Sequence, residues 1–276
     1  MNHRLFQRIN VLLAMLFALS GIYAYGQGSC SPKSLQGPFG FSISGKIVGK
    51  SDCAINGRFA GDGKGQMSGT LTESAGGHIM RTPFKGTYSV NRDCTGTIRF
   101  NFPNGLSVGS AFVMVGNGDK MYFMNSDDAS AVPVSVVDAG NIMRQNHGPM
   151  NHGATMCSNA DFHGPFGLSL SGTKVDSNTP FVTGGRLVAD GKGHVTGNAT
   201  ESVGGHVSKG GFDGSYKVNP DCSGSGTFVT PSHMTETFDF VVVDQGKEVL
   251  FIGTDDGVQQ TGAASKQLWP GAIGKK

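Results

Sequence analysis

The 276-residue chain contains one sequence pattern twice. Gly86 to Thr97 reads Gly-Thr-Tyr-Ser-Val-Asn-Arg-Asp-Cys-Thr-Gly-Thr, and Gly214 to Ser225 reads Gly-Ser-Tyr-Lys-Val-Asn-Pro-Asp-Cys-Ser-Gly-Ser. The offset between them is 128 in the numbering, and it holds without a gap from Asn56/Gly184 to about Ser130/Val258. Solenoid and propeller repeats recur every ~20–50 residues, so a period this long describes duplicated domains. Each copy must bury its own core, and about 110 residues are enough to do so.

Within each copy the apolar residues alternate. Phe39, Phe41 and Ile43 are interleaved with Gly40, Ser42 and Ser44, the period of a half-buried strand. Leu168-Ser169-Leu170-Ser171-Gly172 repeats this in the second copy at an offset of 127, so one residue was gained or lost in a loop before Arg58/Arg186. Glycine is abundant (44 residues) and charge sparse (15%), which fits short strands joined by tight turns. Asp62-Gly63-Lys64-Gly65 and Asp190-Gly191-Lys192-Gly193 read as hairpins, because glycine accepts the positive φ that primed turns need. They lack the further carboxylates of a calcium loop. Phe238 to Val243 and Val249 to Ile252 are nearly unbroken apolar runs, which predicts strands covered on both faces. A final strand is expected near Ala131 to Val137 in copy one and Val258 to Ala264 in copy two. Seven or eight short strands per copy predict an all-β fold of two tandem antiparallel up-and-down barrels, lipocalin- or calycin-like, or strongly curled sandwiches.

The most suggestive polar constellation is Glu73 with His78, and Glu201 with His206, flanking Gly-Gly turns. A two-residue turn puts each carboxylate diagonally across from its imidazole, where the two could do acid–base work, bind a polar ligand or simply tie the hairpin. Phe41, Tyr88, Phe100 and Tyr216 fall on inward faces and are candidates to line a ligand cavity, although a core tyrosine bonded to a backbone carbonyl is the more frequent case. His147, Met150 and His152 (with Met156) are soft and borderline ligands suited to copper. Without tight spacing, however, no metal site is assigned, and no cofactor is expected. A polar stretch rich in Gly and Pro, residues 140–156, reads as a flexible linker instead.

Residues 1–26 resemble a secretory leader, with Arg4 and Arg8, an apolar run from Val11 to Leu19, and Ala24-Tyr25-Gly26 for cleavage. That run is too short to span a bilayer. The leader holds two of the chain's 22 basic residues and no acid, so the remainder balances its 20 acids and carries no basic stripe for nucleic acid or anionic membranes. An exported chain meets an oxidising compartment. The repeat pairs Cys30 with Cys94 and Cys157 with Cys222; Cys53 is left over, as a free thiol or a link to a second copy.

The Gly-x-Tyr-x-Val-Asn-x-Asp-Cys-x-Gly run, with Phe-Val-x-Val-x-x-Gly-Lys in copy two, resembles an uncharacterised family of bacterial secreted proteins built of one or two such modules. The resemblance spans Gly37 to about Asp128 and Gly164 to about Gly262, and implies no activity.

These readings divide the chain into a leader (1–26), module 1 (27–139), linker (140–156), module 2 (157–264) and tail (265–276). They predict a secreted or periplasmic, non-enzymatic protein whose barrels each hold a small apolar ligand. A structural or surface-interaction module with filled barrels, and a small-barrel isomerase or cyclase using the Glu/His pair, are the alternatives.

Overall fold

The computed structural model describes residues 29–127, 136–145, 156–230 and 234–267. Residues 1–26, read above as a leader, and His147, Met150 and His152 lie outside them.

The first module is a meander of eight strands: β1 (Gln36–Ile47), β2 (Asp52–Asp62), β3 (Gln66–Ala75), β4 (His78–Val90), β5 (Thr95–Asn101), β6 (Ser107–Val115), β7 (Lys120–Asn125) and β8 (Val136–Arg144). Each pairs antiparallel with the next, and β8 closes on β1 with Ile43 opposite Gly140. The second module repeats this with β9 (His163–Lys174), β10 (Thr179–Asp190), β11 (His194–Val203), β12 (His206–Val218), β13 (Ser223–Val229), β14 (Thr235–Val243), β15 (Glu248–Gly253) and β16 (Val258–Lys266), closed by β16 on β9. The chain is thus all-β, two closed up-and-down barrels. β8 runs through Gly140 to Arg144, so the first barrel takes in the opening residues of the stretch read as linker. No helix among the described residues is long and apolar enough to cross a membrane.

Turn chemistry behaves as its residue types require. Gly63 and Gly65 adopt φ of 75° and 110°, while Asp62 Oδ1 accepts the amides of Lys64 and Gln66 at 2.7 and 2.9 Å. Asp190 does the same for Lys192 and His194 in the second barrel. Those bonds hold both carboxyls below their ordinary range.

One end of each barrel is plugged. A short 3-10 turn, Pro32–Leu35, lies under the first barrel, and Asn159–Asp161 lies under the second. Disulfides Cys30–Cys94 and Cys157–Cys222 tie these segments to the turns after β4 and β12, with Cα atoms 5.0 Å apart in each. Above the plug the interiors are filled by aromatic rings, Phe39 stacked on Phe59 at 5.3 Å and Phe162 edge-on to Phe166 at 5.1 Å.

The outer faces of β14, β15 and β16 pack on β1, β2 and β3 of the first barrel, with Met143 of β8 at the edge of the contact. Val241, Val243 and Leu250 form one buried cluster with Met143. Gly40 is needed there: a Cβ on it would stand 2.5 Å from Val243 Cγ1 and 2.7 Å from Val241 Cγ1. Around this seam Arg58 pairs with Asp221 at 3.2 Å, Gln145 Nε2 donates to the Asp221 carbonyl, and Gly257 N–H donates to the Gly77 carbonyl. The unbroken apolar runs of module 2 follow directly, since one face fills the barrel and the other fills the seam.

Candidate functional site

Away from its plug, the first barrel is hollow. A cavity of about 320 Å³ opens there, walled mostly by Phe41, Ile43, Ile55, Leu71, Phe100 and Phe102. A volume of this order suits a small apolar molecule. The strand period aims three polar side chains into it from one level of the wall. Asp138 on β8 pairs with Gly45 on β1, and Gly45 pairs with Cys53 on β2. Glu73 on β3 sits one step along, opposite Ile55. Gly45 is required between them, because a Cβ on it would lie 2.5 Å from the Asp138 Cβ.

The electrostatics follow from this enclosure. Burial raises Glu73 above the ordinary carboxylate range, and it raises Asp138 despite a bond from the Asn125 backbone. Cys53 is 2% exposed; burial first, then the charges of Asp138, Glu73 and Asp52, push its thiol up to about 12. It is therefore a protonated wall group and a poor nucleophile at neutral pH. Its burial also bears on the expected link to a second copy: the sulfur faces the barrel interior, out of reach of another chain. The third acid of the cavity, Asp127, is already neutralised by Arg99 at 3.0 Å. Among the described residues, no Lys or Arg lines the cavity.

The sequence candidates separate here. Phe41, Phe100 and Glu73 line the cavity. Tyr88 does not: its hydroxyl donates to the Pro32 carbonyl at 3.2 Å, at the plugged end. Tyr216 likewise donates to the Phe162 carbonyl at 2.6 Å. His78 and His206 are exposed at hairpin ends. No hydrogen bond or ion pair joins Glu73 to His78, or Glu201 to His206, among the described residues. Asp138 is missed by the sequence reading because β8 lies beyond the gapless repeat and runs further than the strand expected to end at Val137. Its only sequence signal is an isolated acid among Val136, Val137 and Ala139.

The second barrel departs at the same level. Phe181 stands where Cys53 stands, its ring over Gly172, and Gln260 stands in place of Asp138. The residual cavity, about 290 Å³, includes Glu201, Glu236 and Lys209 in its wall. Burial, and then the charges of Glu201 and Asp255, raise Glu236 to about 7 against the opposing pull of Lys174. No group of three or more potential metal-ligating side chains occurs among the described residues.

No family model and no curated protein matches the chain. Solved structures are similar only distantly. EF1p2_mFAP2b bound to DFHBI aligns over 41% of this chain and 95% of its own at 13% identity, with a TM-score of 0.30. A putative AttH from Nitrosomonas europaea covers 84% of this chain and 92% of its own at 9% identity, TM-score 0.28. A protein of unknown function from the DUF3598 family of Nostoc punctiforme covers 86% and 99% at 9% identity, TM-score 0.24. These likenesses are too slight to give any residue of this chain a role.

Proposed function

We propose that the chain is an exported, non-enzymatic binding protein whose first barrel takes up a small apolar ligand. The hollow end of that barrel carries the reading: apolar walls surround about 320 Å³ that the described side chains leave unfilled. Export is supported by the leader-like segment 1–26 and by two disulfides, which persist in oxidising compartments. Glu73 and Asp138 meet no basic side chain among the described residues of the wall, so a neutral or basic head group suits this cup and a carboxylate head does not.

Native mass spectrometry of the protein purified from its own host tests the reading. A bound species released on unfolding is expected. Protein that carries nothing, and that takes up neither octanol nor octylamine in titration calorimetry, would refute it.

A further inference from the structure

The contact that joins the two barrels uses one face of the second module and a different face of the first. Because the modules are copies, each also carries the face that the other one uses. On β14 and β15, Val241, Val243, Leu250 and Ile252 are 3% exposed or less, since they lie against the first barrel. Their counterparts in the repeat, on β6 and β7, are Val113, Val115, Tyr122 and Met124, and these are 37–60% exposed. An apolar row of this kind on an outer wall marks an interaction surface.

The receiving face is duplicated in part: Met143, the first barrel's member of the seam cluster, has Ser265 as its counterpart. Gly40 is a glycine under Val241 and Val243, and its counterpart Gly167 is also a glycine. Yet a Cβ at Gly167 would meet nothing nearer than the Ser265 carbonyl oxygen at 4.0 Å. No steric demand among the described residues calls for glycine there. Arg58, which pairs with Asp221, has the exposed Arg186 as its counterpart, and Asp221 has the exposed Asp93. Gln145, which bonds across the seam, has Gln267 at the equivalent end of β16, where its Oε1 accepts from Arg186 Nε at 2.9 Å.

We propose that copies of this chain associate head to tail: β6 and β7 of one copy dock on β9 and β10 of the next, as β14 and β15 dock on β1 and β2 within a copy. The two faces are different surfaces, so the contact is heterologous and propagates as a chain or closes as a ring. It is weaker than the internal seam for three reasons, the first being that Ser265 replaces Met143 on the receiving face. Ala111 occupies the place of Asp239, which bonds Arg81 and Thr72 across that seam. The internal contact also benefits from a covalent tether, which the contact between copies lacks. A dissociation constant of about 10 µM to 1 mM is expected.

The test uses the oxidised, leader-free chain in sedimentation velocity and light scattering up to about 1 mM. Wild type should show concentration-dependent growth beyond the monomer. The double variant Val115→Lys/Tyr122→Glu loses the donor face, and Gly167→Val obstructs the receiving face without a clash inside its own barrel. Each should remain monomeric alone with an unchanged circular dichroism spectrum. Mixed together, the two variants should recover a one-to-one dimer, because each retains the face the other lacks. Wild type that stays monomeric throughout, assembly that survives either substitution, or variants that fail to complement would overturn the proposal. None of these outcomes depends on what the first barrel binds.

Discussion

Arg81 Nε donates to Asp239 Oδ2 at 2.8 Å, and the Thr72 hydroxyl donates to the same oxygen at 2.7 Å, so one carboxylate on β14 fastens two strands of the neighbouring barrel. Arg81 is largely exposed while Asp239 is mostly covered, which keeps the contribution modest. Asp239→Ala should cost about 1–2 kcal/mol and loosen the coupling between barrels. Differential scanning calorimetry should then resolve two transitions where wild type shows a more concerted one. An unaltered thermogram would show that the seam rests on its apolar cluster alone.

The sister barrels supply their own control for the cavity. Phe181 occupies the second barrel at the level where Cys53 leaves the first one open. Cys53→Phe should therefore narrow the first cup at the level of Gly45, where its ring would stand as the Phe181 ring stands over Gly172. Affinity for octanol should fall about tenfold or more, with little loss of stability. In the wild-type protein, Cys53 should resist aromatic disulfide reagents until the barrel is unfolded. Rapid labelling of native protein would mean that the thiol is not enclosed.

Stability should fall with rising pH because of Glu236. Burial raises its folded pKa from the ordinary 4.5 to about 7, so the folded state holds a proton that the unfolded chain releases. The stabilisation is complete below about 4.5 and is lost as pH climbs through about 7. Discounting for solvent screening, Glu236→Gln should gain about 1–2 kcal/mol over wild type at about pH 8, a difference that vanishes toward the acid side. Chemical denaturation across this range checks it, and parallel curves for the two proteins would contradict it.

Cys94→Ser should lower the thermal midpoint of the oxidised protein markedly. The Cys30–Cys94 bridge spans a separation of 64 residues, and closing such a loop contributes about 4 kcal/mol in the chain-entropy model. The loss should be absent when both proteins are compared under full reduction. Equal midpoints in oxidising buffer would mean that the bridge does not form in solution.

The period-2 pattern and the Asp-Gly turns are sufficient to place most strands, because side-chain alternation and turn sterics are local properties. The cysteine pairs are readable for a similar reason, as each recurs at the same place in its module. The candidate site is only half readable. Phe41, Phe100 and Glu73 belong to an inward face, as their period says, yet period alone does not say at what height along the barrel a residue sits. Tyr88 and Tyr216 share that face and are used at the opposite end, as hydroxyl donors to the plug.

Duplication, the strand pattern and the paired cysteines are thus properties of the linear chain, which needs only local geometry and repetition to declare them. Closure of β8 on β1 brought Asp138 to Cys53, and packing of one barrel on the other buried Val241 and left Val113 bare. Both depend on contacts between residues far apart in sequence, whose strength comes from surfaces that exist only after each barrel has formed.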